Sequence, residues 1–228
     1  MKNLLSNFKI SIEESIYNKD PESSELGKRI ITQSIELIDE IGYEAFTFKK
    51  LGMRIGSNES SIYRYFENKH KLLSYLTCWY WSWIEYQVVI ETYSLEYALD
   101  KLKKAIEIIS KTVVEDSNYS HINEKKLHRI IINENSKSFL TKEVDKENKQ
   151  GYFNVYKNLV LRIKDMIQEV DLSFKYPTSL ASTLIESSLH QHFLNKHFKA
   201  ITDYNQEESP VHFLTDLTLR TLMINDHE

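Results

Sequence analysis

This sequence predicts an all-α chain, with a small amino-terminal domain joined to a larger helical one. Three observations carry the prediction. Only 5 Gly and 3 Pro occur in 228 residues, too few for the turns a sheet protein of this length needs. Apolar residues recur at helical spacing, as at Ile31, Ile35 and Ile38. Hydrophobic content is 41%, which is ordinary for a globular protein and high for a disordered one. Cys78 is the sole cysteine, so no internal disulfide can form, and it reads as a small buried hydrophobe in a reducing compartment. No run approaches the ~18–20 apolar residues of a membrane span. The start, MKNLLSNFKISIEES, lacks a signal-peptide cleavage pattern. A cytoplasmic protein with no membrane partner is the expectation.

Net charge is −4, but it is unevenly spread. Between Thr47 and Leu72 there are six cations (Lys49, Lys50, Arg54, Arg64, Lys69, Lys71) against Glu59 and Glu67, a local +4 that leaves −8 on the remainder. A basic patch on an acidic body orients one end of a molecule toward an anion.

Three parts are expected: a polar leader at 1–22, a DNA-binding domain at 23–70, and a ligand-binding and dimerisation domain at 71–228. In the leader, Leu4, Phe8 and Ile12 fall at helical spacing before DPESS, as in a frayed amphipathic helix, and no function attaches to it. SSELGKRIITQSIELIDEIG is a strong helix, capped by Ser23 or Ser24 and stopped by Gly42. FTFKKLGMRIG gives about two turns between a capping Thr47 and Gly56. After the turn Gly56-Ser57-Asn58, SNESSIYRYF is a second short helix, capped by Asn58 or Ser57.

Two short helices joined by a tight Gly turn make a helix-turn-helix, whose second helix enters the major groove. On that helix Ser60, Ser61, Arg64 and Tyr65 are hydrogen-bonding groups for bases and phosphates, while Ile62 and Phe66 anchor it inward. Lys69 starts the next helix, where it can meet a phosphate.

The run RIITQSIELIDEIGYEAFTFKKLGMRIGSNESSIYRYFENKHKLL, Arg29 to Leu73, resembles the DNA-binding domain of TetR/AcrR-type bacterial transcriptional regulators. Gly-Tyr, Phe-Thr, a short helix, Gly, and an Ile-Tyr-x-Tyr-Phe-x-x-Lys-x-x-Leu-Leu tail keep that family's order without a gap. The resemblance implies DNA contacts from Thr47, Lys49, Ser57, Asn58, Ser60, Ser61, Tyr63, Arg64, Tyr65 and Lys69. Thr47, Tyr63 and Lys69 are implied on phosphates, and Arg64 is the candidate for a guanine. Three positions depart from the pattern. Gly52 stands where Ala is usual, a change expected to cost little beyond helix propensity. Ser57 replaces an apolar turn residue. Glu59 opens the recognition helix where neutral or basic groups are common; a carboxylate there either accepts from cytosine N4 or repels phosphate.

HKLLSYLTCWYWSWIEYQVVIETY is apolar nearly all round and reads as a buried central helix. Further helices are expected at about 94–115, 121–137 and 142–170, the last with a bend at Gly151, then after Pro177 and from Ser209-Pro210. Trp79, Trp83, Tyr86, Gln87, Tyr152, Phe153 and Tyr156, with His190, combine aromatic density with a few polar groups and form the candidate pocket for a small apolar or aromatic ligand. The last two helices carry apolar residues on more than one face. Leu180, Leu184, Leu214 and Leu217 are therefore assigned to a homodimer interface, as the resemblance also implies; Ile224 is among the apolar residues of the last helix.

His190, His192 and His197 lack a Cys or carboxylate at supporting spacing, so no metal site is assigned. No nucleophile-elbow, zincin or phosphate-loop motif occurs, so no catalytic residue and no cofactor are assigned. The reading is a ligand-responsive repressor that binds double-stranded DNA as a dimer. The alternatives are a helical small-molecule-binding protein with weakened DNA binding and an all-α enzyme without a recognisable motif.

Overall fold

The computed structural model describes residues 10, 12–113, 121–203 and 209–223, and all regular structure among them is helical. Leu4, Phe8 and Ile224 lie outside the described residues. The chain divides into two compact units, one built from 1–82 and 113–154 and the other from 83–112 and 155–228.

The first unit opens with the leader. From residue 12 it is extended and carries two 3-10 turns, Glu14–Ile16 and Pro21–Ser23, while the stretch expected as an amphipathic helix lies almost wholly outside the described residues. Ile12, Ile16 and Pro21 are buried. Helix α1 (Glu25–Ile41) comes next, with the Ser24 hydroxyl accepting from the Gly27 amide. Gly42, at φ 77°, ends it. Pro21 lies so near Gly27 that a Cβ there would sit 2.2 Å from the Pro21 carbonyl oxygen. Helices α2 (Phe48–Ile55) and α3 (Glu59–Tyr63) pack on this frame through Leu51, Ile55 and Ile62. Helix α4 (Lys69–Thr92) contributes residues 69–82 to this unit and 83–92 to the other.

The later part of the first unit is α6 (Glu124–Glu134), a 3-10 turn Asn135–Ser138, and α7 (Val144–Lys149). Helix α6 packs along α1. Arg129 holds Asp39 with both arms, Nε–Oδ1 at 2.8 Å and Nη2–Oδ2 at 2.5 Å, and Lys126 pairs with Glu36. The expected helix at 142–170 is two: Gly151, at φ 89°, breaks it before α8 (Asn154–Val170). A residue in the left-handed region cannot sit inside a right-handed helix. Cys78 is buried, its thiol directed to the Tyr152 carbonyl oxygen at 3.1 Å, and burial pushes its pKa up to about 12.

In the second unit, α5 (Ala98–Ser110) is the element against which both α9 (Pro177–His197) and α10 (Val211–Thr221) pack. Leu102, Ile106, Leu159, Ile163, Leu184 and Leu214 are its buried core. No helix among the described residues is long and apolar enough to cross a membrane.

Candidate nucleic-acid interface and effector groove

The two helices of the reading head are fixed by their caps. Thr47 Oγ1 accepts from the Lys50 amide at 3.2 Å and starts α2. Gly56, at φ 62° and ψ 37°, closes it, with its own amide turned back on Gly52 and Met53. The Asn58 carboxamide oxygen then starts α3: it accepts from the Ser61 amide at 2.9 Å, the Ser61 hydroxyl at 2.6 Å and the Ser60 hydroxyl at 2.9 Å. Five residues are a short helix, held by caps at both ends rather than by its own length.

The predicted DNA residues separate into groups. Lys49 and Arg64 are exposed and reach no partner among the described residues. Thr47, Asn58 and Ser60 are exposed and Ser57 and Ser61 half-buried, all on the turn-and-helix surface. Tyr63 is 46% exposed, packs edge-on against Phe48 at 5.1 Å, and donates its hydroxyl to Glu59 Oε1 at 3.3 Å. Partial burial, and then the Glu59 carboxylate, hold that hydroxyl above its ordinary pKa.

Tyr65 does not face a groove. It is 3% exposed, and its hydroxyl meets the Ser24 hydroxyl at 2.8 Å under the α1 cap. Tyr65 and Phe66 follow the buried Ile62 by three and four residues, on the side of the chain that faces the core, and both are buried with it. Lys69 also departs from the expectation: its ammonium donates to the Tyr43 and Glu44 carbonyls at 3.2 and 3.4 Å and lies 4.6 Å from the Tyr43 ring centre. Three further cations of the patch are likewise anchored on the chain. Lys50 donates to the Ala45 carbonyl, Arg54 forks onto Glu40 with its Nε on Gln33, and Lys71 reaches the Ser15 carbonyl. Asn18 of the leader, which the sequence did not single out, ties the far end of α3: its amide donates to the Tyr65 carbonyl and its side chain to that of Tyr63.

The predicted aromatic pocket residues are divided between the units. Trp79, Tyr152 and Phe153 belong to the first; Trp83, Tyr86, Gln87, Tyr156 and His190 belong to the second. Trp79, Trp83 and Tyr152 are buried, Tyr152 with its hydroxyl on the Ser15 carbonyl. Tyr156 donates to Glu186 at 2.6 Å, and His190 stacks on Phe193. None of them lines the groove that opens within the second unit. That groove has a volume of about 540 Å³ and lies among the end of α4, the start of α5, and α8. Val89, Leu161 and Met166 give it apolar walls. Its polar margin is paired, Arg162 to Glu85 at 3.0 Å and Lys101 to Glu169 at 3.8 Å, and the buried Arg162 Nε has no hydrogen-bond acceptor. These pairs join helices about 70 residues apart, so no local sequence signal marks them.

Of the four predicted dimer residues, Leu184 and Leu214 are spent in the unit's own core, Leu180 is half-buried, and Leu217 is 37% exposed. Phe213, one turn before Leu217 on α10, is 52% exposed.

Residues 30–76 match the family model of bacterial regulatory proteins of the tetR family. No curated protein matches the chain. Among solved structures, the chain is similar to a tetR-family regulatory protein from Rhodococcus RHA1, at 14% identity and TM-score 0.63 over 89% of this chain and 100% of that one. It is similar also to AibR in complex with isovaleryl coenzyme A and operator DNA, at 16% identity and TM-score 0.55 over 86% and 95%. The superantigen PfiT gives 15% identity and TM-score 0.57 over 92% and 100%. At such identities the likeness is one of fold.

Proposed function

We infer, from a chain whose residues 30–76 carry a DNA-binding domain of the tetR family, that this protein is a ligand-responsive DNA-binding transcriptional regulator. The observation that carries the reading is the capped pair α2 and α3, with Arg64 and Lys49 exposed beside it. In this proposal Arg64 forks onto guanine O6 and N7. Thr47, Lys49, Ser57 and Asn58 position the head on the backbone, while Ser60 and Ser61 lie along the base edges. Lys69 reaches a phosphate only by leaving the Tyr43 and Glu44 carbonyls.

A twofold DNA site needs two heads about 34–36 Å apart. The exposed Phe213–Leu217 face of α10 supports a homodimer through α9 and α10, with Leu180 at its margin. The effector is a small molecule with an apolar or aromatic body, taken into the groove of the second unit with Arg162 as its polar anchor. Helix α4 supports the coupling: Lys69 at its start lies against the loop after α1, and Glu85, Val89 and Thr92 near its end, with Tyr93 just after it, line the groove. The AibR complex with both isovaleryl coenzyme A and operator DNA supports such a pairing of sites in this fold. Repression by occupancy of an operator, relieved by the ligand, completes the proposal.

The test is selection of duplexes from a random pool by the full-length protein, then titration of wild type and Arg64→Ala on the selected and a scrambled duplex. Arg64→Ala is expected to lose about tenfold or more on the selected duplex and little on the scrambled one. Equal losses on both would make Arg64 a phosphate clamp, and no enrichment by wild type would sink the regulator reading.

A further inference from the structure

Glu59 is the position where the reading head departs most in charge from its relatives' pattern, and the hydrogen bonds around it give that departure a use. The Ser60 and Ser61 hydroxyl protons both go to the Asn58 carboxamide oxygen, so the two serines present lone pairs outward. Between Asn58 and Ser60, the Glu59 carboxylate is held from one side by the Tyr63 hydroxyl at 3.3 Å. Tyr63 is itself braced against Phe48. The leading residues of the recognition helix are those that meet base edges in a helix-turn-helix. Here they form a cluster of acceptors.

The major groove offers such a cluster only two kinds of donor, the N4 amino group of cytosine and the N6 amino group of adenine. Adenine sets its N7 acceptor beside N6, facing a second carboxylate oxygen with a lone pair. Guanine presents only N7 and O6 acceptors, which repel a carboxylate, and thymine presents O4 and a methyl group. Cytosine alone offers an amino group without an adjacent acceptor on the same base. We propose that Glu59, oriented by Tyr63, is the cytosine reader of each half-site and sets specificity there. This rests on the regulator reading and adds to it a base and a residue.

The experiment is duplex selection by the full-length protein as wild type, Glu59→Gln and Glu59→Ala, each checked for an unchanged thermal midpoint. Wild type is expected to enrich cytosine at one position per half-site and to lose about tenfold in affinity when that pair becomes T·A. Glu59→Ala should bring the four bases at that position within about twofold of each other and leave the other positions unchanged. Glu59→Gln should shift the preference to adenine, because a carboxamide both accepts from N6 and donates to N7. If all three proteins enrich the same sequences, Glu59 reads no base and the assignment falls while the regulator reading stands. If wild type enriches no sequence, both fall.

Discussion

A Cβ on Gly52 would lie 2.8 Å from the carbonyl oxygen of Ser57, across the turn that joins α2 to α3. The same turn is closed by the Ser57 amide on the Gly52 carbonyl at 2.9 Å. The departure at Gly52 is therefore set by the backbone of the turn, which runs closer to α2 than an alanine allows. From the sequence, Gly52 looked like a small loss of helix propensity, because propensity is local and the clash is with a residue beyond the helix. Gly52→Ala is expected to lower the unfolding free energy by about 1–3 kcal/mol through overpacking, outweighing the roughly 1 kcal/mol gained in propensity. Urea denaturation measures this, and a stabilised variant would refute the close approach. Tyr43 gives a second test. Burial pushes its hydroxyl up to about 12, from an ordinary value near 10. The folded state favours the protonated form, so this contribution is complete below pH ~10 and is lost as pH rises from 10 to 12. Tyr43→Phe should flatten that part of the stability profile.

The elements whose existence the sequence made plain are those with caps and a single apolar stripe, such as α1 with Ser24, Ile31, Ile35, Ile38 and Gly42. Element ends were less legible. Tyr65 looked like a member of the recognition helix because it comes directly after Arg64 without a breaker, yet the helix ends at Tyr63 and Asn18 of the leader holds the carbonyls of both tyrosines. The leader itself reads from the sequence as a polar segment with no function attached. Its apolar residues suit a helix as well as an extended strap, and only its tertiary partners decide: Tyr63, Tyr65, Lys71 and Tyr152 all bond to it. Ile16 is 1% exposed. Ile16→Ala is expected to cost about 2–5 kcal/mol, as for any core isoleucine. A thermal midpoint unchanged by that substitution would make the leader a passenger.

For the whole molecule, the expected boundary at 70/71 differs from the division into compact units, where 113–154 joins the first. That grouping rests on packing between elements far apart in the chain, such as α6 along α1, which hydropathy does not reveal. Overall charge was legible from the sequence, but the number of cations free to meet DNA was not. Four of the six in the basic stretch are anchored on carbonyls or on Glu40, which leaves Lys49 and Arg64 without a partner among the described residues. With Arg64 on a base, Lys49 is the free cation for the backbone, about one phosphate per protomer, and a dimer should show a slope of log affinity against log salt of about −2. Affinity should then fall roughly tenfold between 50 and 200 mM. A slope steeper than about −7 would mean that the anchored lysines release their carbonyls on binding.

The leader's partners also set an order of events during synthesis. Ser15 gives its carbonyl to the Tyr152 hydroxyl and its own hydroxyl to the Gln150 carbonyl, contacts that span 137 and 135 residues of chain. At about 5–20 residues per second, roughly 7–27 s pass between translation of Ser15 and translation of its partners. From the completion of Tyr63 until Gln150 and Tyr152 are made, the emerging head has α1, α2 and α3 but lacks the contacts that seat the strap holding the Tyr63 and Tyr65 carbonyls. Completion of a DNA-binding surface made in the first third of the chain thus waits on residues that open its last third, and a ribosome stalled before Gln150 displays a head not yet finished.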